Sequence, residues 1–302
     1  MKYFSMFSGI GGFEHAIQKL CSERTQIYKP GAEAGDQEGQ LEQLPEQPGG
    51  QGLPCIGYSE IDPYAIKVYE RTFKHKGYGD ATRIIPEQLP DFDILVGGFP
   101  CQAFSIAGKR GGFNDTRGTM FFEIARIVKE KRPRLLVLEN VKGILSHDQG
   151  NTYATIISAL DELGYDTERQ TLNSKNFGVP QNRERVFIVG HLRGQPSRKV
   201  FPIEGKTNGS LQELTQGVSD SQRIYDPAGI SSTITGNGGG LGAKTGLYEL
   251  GYRVRRLTPK ECERLQGIPD NTTEGFSDKQ RYKLTGNAVT VNVVEAIMDR
   301  LI

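Results

Sequence analysis

The segment GGFPCQAFSIAGKRGGF, residues 97–113, sets Cys101 directly after a proline and between two glycine-rich stretches. It follows the apolar run FDILVGG, so Cys101 falls at the carboxyl end of an expected strand, where open α/β sheets place their ligands. A cysteine there is a candidate nucleophile; the thiolate is its reactive form, and with a free pKa of ~8.5 it works best beside an activating environment. LVLENV carries Glu139 to the end of the next apolar run. A carboxyl group held protonated there could donate to a ring nitrogen and draw electrons from a carbon under attack. QNRERVFIVG places Arg183 and Arg185 two residues apart just before another strand, on one side of an extended segment, as clamps for an anionic or carbonyl-bearing substrate. The competing readings are a buried structural thiol for Cys101 and solvated surface charge for the arginines.

A second group of residues suits a nucleoside. FSGIGGF stands between a short apolar run, Lys2 to Phe7, and a helical pattern, so its glycines let the backbone approach a ligand near a helix N-terminus. It is not GxGxxG. The next expected strand, IGYSEID, brings in Glu60, the acidic position that commonly bonds ribose hydroxyls, and GYGDATRI adds Asp80. Together they suit an adenosine-containing ligand without demanding a dinucleotide.

The elements that must position these residues alternate. Helical PYAIKVYERTF, MFFEIARIVKEKR and TYATIISALDELG separate the apolar runs IGYSEID, FDILVGG, RLLVLENV and RVFIVGHL, which predicts a parallel α/β sheet covered on both faces. Residues 31–54 carry five acids, no Lys or Arg and few apolar groups, and read as a flexible surface insertion, bounded at about 24–54. After His191 Gly, Ser, Thr and Pro dominate to about Tyr252, and from Leu284 the chain resumes LTGNAVTVNVVEAIMDRLI, whose apolar spacing from Val291 suits a closing helix. The expected divisions are 1–203 for the main domain, 204–280 for a smaller one with its hinge, and 281–302 for a segment returning to the first.

The net charge of +1 argues against a protein that coats nucleic acid nonspecifically. Seven basic residues against Glu184 alone between Arg169 and Lys199 make any polyanion surface local. The four cysteines are far apart with no CxxC pair, so neither a disulfide framework nor a metal site is expected. With no signal-peptide pattern and no apolar run long enough to span a bilayer, the expected location is the cytoplasm.

Read in order, FSGIGGFE, GYSEIDPYA, GFPCQAFSIAG, LENV, QNRER, RRLTPKECERLQGIPD and LTGNAVTVNVV resemble the motif series of DNA (cytosine-5) methyltransferases of the bacterial and phage restriction-modification type. The resemblance covers nearly the whole chain. It implies a Rossmann-like S-adenosylmethionine-dependent sheet with helices on both faces, plus a small loop- and strand-rich target-recognition domain. It implies that Cys101 attacks C6 of a flipped-out cytosine, that C5 takes the methyl group of S-adenosylmethionine, and that loss of the C5 proton and β-elimination free the enzyme and leave S-adenosylhomocysteine. Glu139 would contact N3 and the exocyclic amine, Arg185 would hold O2 and Arg183 would support it. Gly108, Gly111 and Gly112 would give mobility to the loop that closes over the base. For the cofactor the resemblance assigns Phe7, Gly9, Gly11, Glu60, Ile61, Asp80, Pro100, Met120 and Asn287. Ser5 stands where many members have Asp, and GNAV replaces the commoner GNSV.

The segment RIYDPAGISSTITGNGGGLGAKTGLY resembles recognition regions of members specific for short palindromes, above all GCGC. It assigns DNA contacts to Gln102, Ser105, Arg223, Thr233, Ile234 and Gly239, with Ala107 and Asp220 departing from the GCGC pattern. The implied partner is double-stranded DNA, read by a monomer, with a cognate restriction endonuclease as a functional partner; neither metal nor membrane is implied. The alternatives are an RNA (tRNA) cytosine-5 methyltransferase and a catalytically silent DNA-binding regulator.

Overall fold

The computed structural model describes residues 1–27, 52–100, 120–206, 209–215, 218–236, 242 and 244–302. Six strands form the main sheet: β1 (Tyr3–Met6), β2 (Cys55–Ser59), β3 (Ile94–Gly98), β4 (Leu135–Val141), β5 (Tyr165–Asn173) and β6 (Glu184–Leu192), in the order β2-β1-β3-β4-β6-β5. The first four are parallel, with Val96 level with Ser5 and Val137, whereas β6 runs antiparallel to both β4 and β5. The expected all-parallel sheet therefore needs correction at one edge. The reason is topological: no crossover helix separates β5 from β6, and without one the chain can only return antiparallel.

Alternation along the central strands sends successive side chains to opposite cores. Ile94, Val96, Leu135, Val137, Phe187 and Val189 pack with α1 (Gly12–Ile27) and α7 (Val291–Leu301). Leu95, Leu136, Leu138, Val186 and Ile188 pack with α3 (Met120–Lys131) and α4 (Asn151–Glu162). Both faces are covered, so these strands read as continuous apolar runs. On the outer edge α2 (Pro63–Thr72) starts where the Asp62 carboxylate accepts from the amides of Tyr64 and Ala65, with Pro63 in the first turn.

A second sheet, β7 (Ile224–Tyr225), β8 (Leu247–Leu250) and β9 (Arg253–Arg256), is followed by α5 (Pro259–Leu265) and α6 (Asp278–Asn287). The expected boundary at 281 falls inside α6, and Ile268 and Leu284 already belong to the core beneath α1 and α7. α1 continues to Ile27, past the expected start of the insertion at about 24; residues 28–51 lie outside the described residues.

The basic stretch from Arg169 to Lys199 does not make one surface. β6 carries it from the carboxyl end of the parallel strands, at Arg185, to their amino end, beyond which Arg193 is paired with Asp161 and Asp166.

Candidate active site at the carboxyl end of the sheet

Glu139 and Arg185 meet because β4 and β6 run in opposite directions: Val141 is level with Arg185 and Glu139 with Phe187, so both side chains leave the same face. Arg185 Nε lies 3.0 Å from Glu139 Oε1, with side-chain exposures of 16% and 12%. The neighbouring strand leaves room for this pair. A Cβ at Gly98 would sit 3.0 Å from Glu139 Oε2, closer than a side chain tolerates comfortably, so glycine there lets the carboxylate lie against the end of β3.

Asn140, buried on the opposite face, donates from Nδ2 to the Phe99 carbonyl at 2.8 Å and accepts from the Val141 amide through Oδ1. It fixes the exit of β3 two residues before Cys101. Cys101, Gln102, Ser105 and Gly239, together with the loop residues Ala107, Gly108, Gly111 and Gly112, lie outside the described residues.

Arg183 has a different place from the one expected. It is 2% exposed, and its guanidinium donates to the carbonyls of Ile234 (2.9 Å), Gly286 (3.0 Å) and Ala288 (2.9 Å). Burial, and then the neighbouring Arg185, press its pKa down to about 9 while Glu139 pulls it up, so it stays a cation at neutral pH. With its terminal nitrogens taken by backbone, Arg183 ties elements together rather than clamping a substrate.

Its neighbour Gln181, fully buried, accepts from the Ile234 amide and donates to the Leu265 carbonyl. Thr233 gives its hydroxyl to the Asn182 carbonyl, and the Ser231 amide and carbonyl pair with Pro180 and Asn182. Ile234 itself is 0% exposed and packs with Cys262, Leu265 and Tyr282. Its assignment as a DNA contact is thereby corrected: the side chain is core. Arg223 stands at the head of β7, with Nε 3.4 Å from Glu213 Oε1.

The nucleoside residues also converge. Gly9 (φ 56°) and Gly11 (φ 88°) adopt left-handed backbone conformations, as does Phe7 at 55°. The Gly9 amide donates to Glu60 Oε2 at 2.8 Å, while Glu60 Oε1 accepts from the amides of Ile61 and Asp62. Glu60 thus pins the β1 turn to the end of β2 and keeps acceptor capacity for a hydroxyl. Ser59 Oγ holds the Gly79 carbonyl, bringing Asp80 to the same rim. Asp80 Oδ1 accepts from the Thr82 amide and hydroxyl, which, with Arg83, lowers its pKa; Oδ2 has only Arg83 at 4.0 Å.

Ile61 is 70% exposed, a large apolar side chain beside these carboxylates. Asn287 ends α6 on the exposed side, one turn after Lys283, whose ammonium reaches Asp62 Oδ2 at 2.7 Å. Pro100 is exposed and Met120 opens α3 half-buried. Open space beside Gly9 and Gly79, the exposed Ile61 and the outer Asp80 oxygen, met only distantly by Arg83, fit an adenosine with a charged tail.

A family model for C-5 cytosine-specific DNA methylase matches residues 1–226 and 223–302. The chain belongs to that family. The methyltransferase is 35% identical to the Type II methyltransferase M.HhaI of Haemophilus parahaemolyticus, across 98% of this chain and 93% of the relative. It is 41% identical to the Type II methyltransferase M1.ScrFI of Lactococcus lactis subsp. cremoris, across 81% and 71%. To the orphan methyltransferase M.SPRI of Bacillus phage SPR it is 29% identical, across 100% and 97%. Among solved structures it shares the fold of S. pombe Dnmt2 methyltransferase, with a TM-score of 0.68 at 16% identity, across 99% of this chain and 96% of that one. The family is S-adenosylmethionine-dependent. No described helix is long and apolar enough to cross a membrane.

The seam formed by Gln181 and Arg183 was missed by sequence reasoning. The alternate spacing in QNRER groups the three residues, but nothing in it shows that Gln181 and Arg183 are buried while Arg185 reaches Glu139.

Proposed function

We propose that this methyltransferase modifies cytosine at C5 within one short palindromic sequence of duplex DNA, with Cys101 as nucleophile. The observation that carries the reading is the Glu139–Arg185 pair at 3.0 Å, set against Gly98 three residues before Cys101. The three described cysteines do not compete. Burial and Glu14 push the Cys55 thiol up to about 12, burial with Glu261 and Glu263 does the same to Cys262, and Cys21 flanks the amino end of β1.

In this reading Cys101 adds through sulfur to C6, and Glu139 meets N3 and the exocyclic amine, so that negative charge pushed into the ring is received at N3. Arg185 holds O2 while remaining bonded to Glu139, which keeps the carboxyl oriented. Asn140 holds the Phe99 carbonyl, two residues before Cys101 in the sequence. The target carbon is hidden in a duplex, so the cytosine must leave the stack to reach these groups.

Glu60 and Asp80 would hold the ribose and the adenine amine of S-adenosylmethionine, Ile61, Pro100 and Met120 its ring, Phe7, Gly9 and Gly11 its backbone-facing side and Asn287 its methionine end. When bound, that cofactor supplies the methyl group. Residues 204–280 form the recognition region, Arg223 reads guanine, Thr233 lines the seam, and a GCGC-like site is the specific expectation. The protein acts as a monomer in the cytoplasm of a bacterium or phage host, functionally paired with an endonuclease.

Bisulfite sequencing of a plasmid from cells expressing the protein tests this. Cytosines protected at one recurring short motif, and at none with Cys101→Ser, are the expected result. Uniform conversion despite soluble protein would remove the DNA reading.

A further inference from the structure

We infer that Arg183 is a positioning residue for sequence discrimination, acting through the backbone of the recognition segment. The inference rests on the proposed function, since it takes the segment around Thr233 and Ile234 to be part of what reads DNA.

The seam has two features. First, both backbone groups of Ile234 are gripped from one strand end: the amide by Gln181 Oε1 at 3.1 Å and the carbonyl by Arg183 at 2.9 Å. Second, the same guanidinium holds the carbonyls of Gly286 and Ala288, which flank Asn287. One buried cation therefore sets the distance from β6, and so from Arg185 two residues on, both to the recognition segment and to the turn at the end of α6. The guanidinium is planar, with its donors in a fixed fork, so it fixes directions as well as distances. A shift of about 1 Å in such support is enough to lose much of the productive geometry.

The reading separates Arg183 from Arg185 in function. Loss of Arg185 removes a ligand of the base and lowers turnover at every site alike. Loosening Arg183 lets the recognition segment settle against incorrect sequences, so it lowers the ratio of kcat/KM between the cognate site and sites differing by one base pair. Discrimination per base pair is typically a matter of about 1–3 kcal/mol, which leaves room for a drop of about tenfold or more.

The test compares the full-length protein with Arg183→Lys and Thr233→Val on duplexes carrying the mapped site and its single-base-pair variants. Thr233→Val removes the hydroxyl that meets the Asn182 carbonyl and leaves the buried cation in place, so it tests the seam even where Arg183→Lys fails to fold. A fall in discrimination of about tenfold for Arg183→Lys, and a smaller one for Thr233→Val, supports the inference. Equal loss of kcat/KM at all sites in both variants, or unchanged discrimination in Thr233→Val and in folded Arg183→Lys, overturns it while leaving the methyltransferase reading intact. A parent protein that methylates no duplex would instead overturn the reading beneath it.

Discussion

Glu14 has no part in the chemistry proposed above, yet it sits in the first turn of α1, directly after the glycine turn, with no exposure to solvent. Its Oε1 accepts from the Tyr69 hydroxyl at 3.1 Å, and Tyr69 in turn meets His75 Nδ1 at 2.9 Å. Burial raises its pKa to about 7, which nearby donors, the Tyr69 hydroxyl among them, offset only in part. A carboxyl group that binds its proton more tightly when folded loses stability as pH rises from about 4.5, where the unfolded chain ionises, to about 7, and stays lower beyond. The loss is about 3 kcal/mol. His15, lowered to about 4 by burial, works in the other direction and loses stability as pH falls from 6.5 towards 4. Urea unfolding of the parent and of Glu14→Gln across pH 5–8 should give curves that diverge with rising pH, the variant the more stable at pH 8; parallel curves would show that Glu14 does not titrate in this way.

Elements with period-2 or period-3.6 apolar patterns were legible in the sequence, and those held by edges, caps or backbone were not. β3, β4 and β6 are continuous apolar runs because helices cover both faces. β5, YDTERQTLN, lies at the sheet edge with only Tyr165 and Leu172 fully buried, so nothing in its composition marks a strand. α6, DKQRYKLTGN, is polar on most sides and was seen only as a tail, LTGN; its true start is the reciprocal Ser277–Gln280 cap, a local signal independent of apolar spacing. Because that helix ends at Asn287 and has little apolar face, its cap should matter. Ser277→Ala should cost about 1 kcal/mol and lower the melting temperature by about 2 °C; no change by calorimetry would show that packing against α5 suffices. At the site, Glu139 and Arg185 were legible as strand-end residues, but the role of Arg183 was not, since a sequence does not show which of two arginines in one motif is covered by a segment fifty residues away.

At the scale of the molecule, charge and surface fit a protein that must let go of most DNA it meets. Its net charge is +1, and cations of the basic stretch are spent on different tasks: Arg183 in the seam, Arg185 on Glu139, Arg193 on two acids. With so small a net charge, binding to a duplex lacking the target site should be weak and lost with modest added salt. Sedimentation velocity with a duplex containing one site should show a single protein per duplex. Two proteins bound together at one site would contradict monomeric action.

The seam has one more property. Apart from the Thr233 hydroxyl, the hydrogen-bonding groups that Ser231, Thr233 and Ile234 give to Pro180, Gln181, Asn182 and Arg183 are main chain: the amide and carbonyl of Ser231 and the amide and carbonyl of Ile234. The socket therefore tests shape and not vocabulary. A foreign segment that keeps the same backbone there, with an apolar residue of similar size in the place of Ile234, would seat equally well whatever letters it spelled elsewhere, which makes the proposed reading head an exchangeable part.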